Sequence, residues 1–111
     1  APVYFERGAT GYNIAGFSSI NFPLWVAPYT CRATRIRAYI GDGTLMTVNA
    51  RKNRSLSLLA TDLTVESTLK WRDTTHLQNN TFRVGDMLES QIISVSGTIT
   101  IMAIIIEFVR T

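Results

Sequence analysis

Apolar and polar residues alternate with a period of two through most of this chain, which confines it to sheet structure. In "RIRAYI" Ile36, Ala38 and Ile40 fall on one side and Arg35, Arg37 and Tyr39 on the other, the pattern of a half-buried strand. "GDG" at 41–43 turns the chain, and "TLMTVNARK" resumes the alternation with Met46, Val48 and Ala50 on one side. "SLSLL" and "LTVESTLKW" repeat it, the second with Leu63, Val65, Leu69 and Trp71 in phase apart from a break at Ser67. "MLESQIISVSG" leads to Gly97, and "TITIMAIIIEFV" follows, β-branched and without a helix cap, which reads as a long strand covered on both faces. No long stretch carries a helical period. Several strands at short spacing, with turn chemistry between them, predict an all-β antiparallel sandwich or barrel. Its core is expected to hold Ile36, Ala38, Ile40, Met46, Val48, Leu63, Val65, Ile101 and Ile105.

The first thirty residues differ. Gly8, Gly11, Gly16, Pro23 and Pro28 are scattered among five aromatics ahead of Trp25. That composition suits an extended arm and edge strands better than a second domain. The expected division is an arm over residues 1–22 and a single sandwich domain over 23–111. At 111 residues and 46% apolar content, one ordinary folded domain is expected, with no disordered tail. The start "APVYFERG" lacks the basic run and apolar core of a targeting segment. "IMAIIIEFV" is about half of the ~20 residues that a spanning helix needs. The expectation is a soluble chain without a membrane partner, its Ala1 exposed by removal of an initiator methionine.

Residue chemistry argues against an enzyme. His76 is the single histidine and sits in "DTTHLQNNT", a polar stretch that reads as a solvated loop and not as part of a triad. Asp42 between two glycines is a turn signal; calcium requires several more oxygen ligands. Asp62, Asp73 and Asp86 mark strand boundaries, where a short acid caps turn N–H groups. Cys31 stands alone, which excludes an internal disulfide and a Cys-based metal cluster within one chain. No phosphate loop, zinc spacing or nucleophile elbow is present, so no catalytic, cofactor or metal residue is expected. A nucleic-acid surface has more material, because Arg32, Arg35, Arg37, Arg51, Lys52 and Arg54 crowd the first half, interleaved with Tyr29 and Tyr39. Against it stands a net charge of only +3, diluted by eight acids. The basic tip Arg51, Lys52 and Arg54 is read as a hairpin turn reaching into water or toward an acidic neighbour, with no direct nucleic-acid contact.

The order of these features carries a resemblance. "YTCRATRIRAYIGDGTLMTVNARKNRSLSL", then "LTVES", then "FRVGDMLESQIISVSGTITIMAIIIEF" resembles a small jelly-roll domain recurrent in tailed-bacteriophage virion proteins, both capsid decorations and fibres. In that family a strand reaches a Lys-Asn-Gly tip, a strand pair follows, Gly-Asp opens the next strand, and an apolar strand closes the sheet. Here Lys52 and Asn53 hold the tip, Gly85 and Asp86 open the strand, and Ile99 to Phe108 close it. Arg54 replaces the glycine, which calls for Asn53 or a neighbour at positive φ, and the Gly-Leu near the last strand is absent. The resemblance implies a jelly-roll sandwich with an extended N-terminal arm, and a non-enzymatic virion structural protein assembled in the host cytoplasm. Its expected task is decoration: cementing the shell by binding the major capsid protein or other virion proteins. The alternative is a tail or head fibre tip whose exposed aromatics, Tyr29, Tyr39 or Trp71, stack on a receptor glycan. For decoration, Tyr4, Phe5, Tyr12 and Phe17 are the expected arm anchors, ordered only on docking. The apolar surplus of the last strand predicts a trimer, with that strand or the arm at the seam.

Overall fold

A computed structural model describes residues 1–14, 19–68 and 70–110. Ten strands are present: β1 (Val3–Ile14), β2 (Ile20–Val26), β3 (Cys31–Ile40), β4 (Leu45–Lys52), β5 (Leu56–Ser57), β6 (Leu63–Glu66), β7 (Trp71–Thr74), β8 (Thr81–Phe82), β9 (Met87–Ser96) and β10 (Ile99–Arg110). They form two antiparallel sheets. The first runs β1-β10-β3-β7 with β8 also on β3, and the second runs β2-β9-β4-β5 with β6 also on β4. The chain crosses between sheets after β1, β2 and β3, then again after β6, β8 and β9, the path of a jelly roll. No helix among the described residues is long and apolar enough to cross a membrane.

The strands with one polar face sit as their alternation predicts. Ile36, Ala38 and Ile40 of β3, Met46, Val48 and Ala50 of β4, and Leu63 and Val65 of β6 are buried between the sheets. Strand β10 is in the opposite phase to expectation. Met102, Ile104 and Ile106 fill the core, while Ile101 is 38% exposed and Ile105 points outward, half-buried. Both phases of "IMAIIIEF" are apolar, so alternation alone cannot choose between them. The choice is made at the ends. Thr100 and Ile101 are both exposed where the Asp42 carboxylate accepts the Thr100 N–H at 2.6 Å, and a bulge between Glu107 and Phe108 buries Phe108 and Val109 in succession. No described strand covers the outer face of β10, a strand expected to be covered on both sides.

The strand expected from Leu63 to Trp71 is interrupted. Lys70 adopts φ 62° and donates its N–H to the Glu66 carbonyl at 3.0 Å, and Trp71 opens β7 in the other sheet. The N-terminal segment differs more. Val3 to Ile14, expected as part of an arm reaching away from the sandwich, pairs along its length with β10 from Arg110 to Ile99. Gly8 makes that approach possible, since a Cβ there would stand 2.4 Å from the Ile104 carbonyl oxygen. Phe5 locks the strand in place. Its ring stacks on Phe108 at 5.2 Å with 6° between planes, and meets Trp25 and Tyr29 edge-on at 5.6 and 5.8 Å.

Candidate interaction face

The two outer faces of the sandwich differ in chemistry. On the second sheet the outward residues of β4, β6 and β9 are mainly polar and several bond to each other, while Val26 and Leu56 are exposed at its two edges. Thr47 and Thr64 share a hydroxyl contact at 3.2 Å, Gln91 donates to Asn21 at 3.0 Å, and buried Asn49 donates to the Leu59 carbonyl at 3.0 Å and to Asp62 at 2.7 Å. On the first sheet an apolar row, Ile101, Ala103 and Ile105, runs outward along β10. Register places Tyr12 beside Ile101, then Thr10, Ala103, Tyr39 and Trp71 in one line, and Gly8, Ile105, Arg37 and Asp73 in the next.

This face carries aromatic groups at both edges. Tyr39 and Trp71 lie 4.7 Å apart, tilted by 40°, with the Arg37 guanidinium 5.4 Å over the Trp71 ring. Tyr12 is 66% exposed on the opposite edge. The Ile101 side chain lies over Gly41, where a Cβ would stand 2.5 Å from its Cγ2. Beyond Ile105 the face becomes charged but balanced. Arg35 pairs with Asp73 at 3.5 Å and with Glu107 at 3.8 Å, and Arg37 reaches the same Glu107 oxygen at 3.8 Å. Glu6 faces Glu107 across β1 and β10, so the two arginines also relieve a like-charge pair. The premise of the expected trimer, an apolar surplus in the last strand, is borne by Ile101, Ala103 and Ile105.

The basic tip is partly neutralised, by the one carboxylate of Glu89. Arg51 grips Glu89 through Nε at 2.8 Å and through Nη2, while Arg54 approaches the other carboxylate oxygen at 3.9 Å. The Glu89 side chain is only 4% exposed, so its charge needs this partner. Lys52 donates to the Thr81 carbonyl at 2.9 Å. Asn53 and Arg54 both take positive φ, 55° and 65°, which meets the expectation raised by the missing glycine. Asn53 also donates to Asp86 at 3.0 Å and accepts the Met87 N–H at 2.9 Å, which ties the tip to the opening of β9. The Arg83 N–H and the Asn53 amide hold the Asp86 carboxyl below its ordinary range, and the two Thr100 bonds do the same for Asp42. Of the arginines weighed as a nucleic-acid surface, Arg35 and Arg37 therefore meet carboxylates on the first sheet and Arg51 and Arg54 on the second.

The arm anchors separate into different roles. Phe5 turns inward, Tyr4 and Tyr12 stay on the outside at 74% and 66% exposure, and Phe17 lies outside the described residues. Tyr29, weighed as a sugar platform, is packed in the Phe5 cluster beneath the Arg110 guanidinium at 3.9 Å. His76 borders a groove of about 280 Å³ with Asp62, Asp73 and Arg72. Cys31 is buried, and that burial raises its thiol pKa. No group of three or more metal-ligating side chains occurs among the described residues.

No protein-family model matches the chain, and no curated protein matches it in sequence. Solved structures match its fold. A chain in the acid-stable capsid structure of Helicobacter pylori bacteriophage KHP30 superposes with a TM-score of 0.63 at 9% identity, over 99% of this chain and 92% of that one. A chain of the cyanophage Pam1 capsid asymmetric unit gives 0.57 at 6% identity, covering 99% and 86%. A chain from the disulfide-linked pili of Bacillus endospore appendages gives 0.55 at 10% identity, covering 99% and 88%. At these identities the likeness is one of fold.

Proposed function

We propose that this protein is a non-catalytic virion structural protein that decorates a bacteriophage capsid and reinforces it, docking through the outer face of its first sheet. The observation that carries this reading is the contrast between the two outer faces. One is mainly polar and internally bonded along β4 and β9, as a solvent face should be; the other gathers Ile101, Ile105, Tyr12, Tyr39 and Trp71 on a surface that no described strand covers. Two of the fold's likenesses are capsid structures and a third is a pilus, so this sandwich serves elsewhere as an assembly unit. The arginine–carboxylate network beside the apolar row supplies a polar rim that fixes orientation on a partner. The major capsid protein is the partner this reading assigns.

A second reading has one observation of its own. Tyr39 and Trp71 form an outward aromatic pair flanked by Arg37 and Asp73, a group suited to stacking on a sugar ring in a fibre tip. One experiment separates the two. Particles lacking the protein are mixed with the full chain or with an Ile101→Lys, Ile105→Lys variant, then tested for attachment, for genome release on heating, and for adsorption to cells. Decoration predicts that the full chain attaches and delays release while the variant does neither. Unchanged heat release together with lost adsorption would replace it with the glycan reading.

A further inference from the structure

The sandwich has four lateral edges among its described strands, and three are guarded. At one end of the second sheet, β2 carries Pro23 and a bulge before Trp25; at the other, β5 and β6 span two and four residues. At the far end of the first sheet, β7 and β8 span four and two. Short strands, proline and bulges are the devices that stop edges from pairing with other chains. The remaining edge, β1, has none of them. It is a twelve-residue strand with no proline, bonded to β10 on one side and to no described strand on the other.

The free backbone groups of that edge can be assigned. The Gly41 N–H donates to the Ile101 carbonyl at 2.9 Å, so Ile101 and its alternate neighbours Ala103 and Ile105 face β3. Met102, Ile104 and Ile106 then face β1, and they pair with Gly11, Ala9 and Arg7. The N–H and C=O groups of Tyr4, Glu6, Gly8, Thr10 and Tyr12 are therefore the ones turned to the open side. The geometry points to one occupant, the β1 strand of a second copy, paired antiparallel about a twofold axis at Gly8.

That register is self-complementary. It sets Tyr4 against Tyr12 of the other copy and Glu6 against Thr10, each pair with its backbone groups facing. On the inner side it sets Phe5 against Gly11 and Arg7 against Ala9, a large group against a small one each time. A shift of the axis to Arg7 would place two guanidiniums opposite each other. Arg7 leaves the edge open, since its guanidinium lies back over Phe5 and Trp25 at 5.1 and 5.0 Å. Its bond to the Glu6 carbonyl, at 2.7 Å, leaves that oxygen a second lone pair. The pairing fuses two five-stranded sheets into one and joins their apolar outer faces into a continuous surface. It favours a twofold dimer over the trimer expected from the β10 surplus.

The test is sedimentation of the full chain in solution, without particles, so its outcome is independent of what the outer face binds. The wild-type chain at micromolar concentration should sediment at twice 12.4 kDa. Thr10→Pro removes an edge-facing N–H and leaves the β10 ladder intact; it should raise the dimer dissociation constant by about tenfold or more, because each dimer loses two backbone bonds. Tyr4→Lys with Tyr12→Lys should also dissociate the dimer, whereas Tyr4→Glu with Tyr12→Lys should restore it at low salt, since only this register brings the two positions together. Far-UV spectra and melting temperatures confirm that each variant is folded. A monomer or trimer for the wild type, a dimer indifferent to Thr10→Pro, or failure of the charge pair to restore association would overturn the proposal.

Discussion

Replacing Phe5 by alanine should destabilise the whole sandwich, because Phe5 is where the N-terminal strand is anchored to the core. The ring is half-buried and contacts three aromatics, stacked on Phe108 at 5.2 Å and edge-on to Trp25 and Tyr29. Phe→Ala in a core costs about 3–5 kcal/mol. Partial exposure puts Phe5 at the lower end, and the lost aromatic geometry restores part of the difference, giving about 3 kcal/mol. For a domain of this size each kcal/mol moves the melting temperature by about 4 °C, so Phe5→Ala should melt about 10 °C or more below the wild type. Thermal unfolding followed by near-UV circular dichroism measures this directly, since the signal comes from the same aromatic cluster. Phe5→Leu should lose less than half as much. A melting temperature within about 2 °C of wild type for Phe5→Ala would refute the reasoning and return residues 1–14 to the role of a detachable arm.

The tip arginines should separate sharply: Arg51→Ala strands the buried Glu89 carboxylate and should cost about 3 kcal/mol, whereas exposed Arg54→Ala should cost under about 1 kcal/mol, both read from urea midpoints. Acid stability should follow Asp42 and Asp86. Both carboxyls are depressed in the folded state, so their contribution is complete above the ordinary carboxylate pKa and is lost as pH falls through the lower folded values. Melting temperature should therefore hold steady down to about pH 4 and fall below it, and Asp86→Asn should flatten that fall.

How far this fold can be read from its sequence depends on contrast between the faces of each strand. Strands β3, β4 and β6 alternate apolar with polar residues, so their buried sets follow directly. Strand β10 is apolar on both faces, and its phase is decided by the Asp42–Thr100 contact, 58 positions apart, and by the bulge at Glu107 against the still more distant Arg35 and Ala33. The N-terminal glycines read as part of an extended arm. Gly8 is instead what lets β1 lie against β10, a packing reason that no local pattern carries. The basic tip was visible as charge, but Glu89, its partner, stands 38 positions from Arg51. The outer face was legible only as a surplus of apolar residues in the last strand; its aromatic border, Tyr39 with Trp71, exists because β7 crosses back to pair with β3.

The central claim is that the chain sits on a capsid with the first sheet inward, and a cryo-electron microscopy reconstruction of the intact particle tests it most directly. The account predicts density for this sandwich on the shell, with Ile101, Ile105, Tyr39 and Trp71 buried against the capsid protein and the polar face of β2, β9 and β4 toward solvent. A particle without this density, or one in which the first sheet faces solvent, would contradict it.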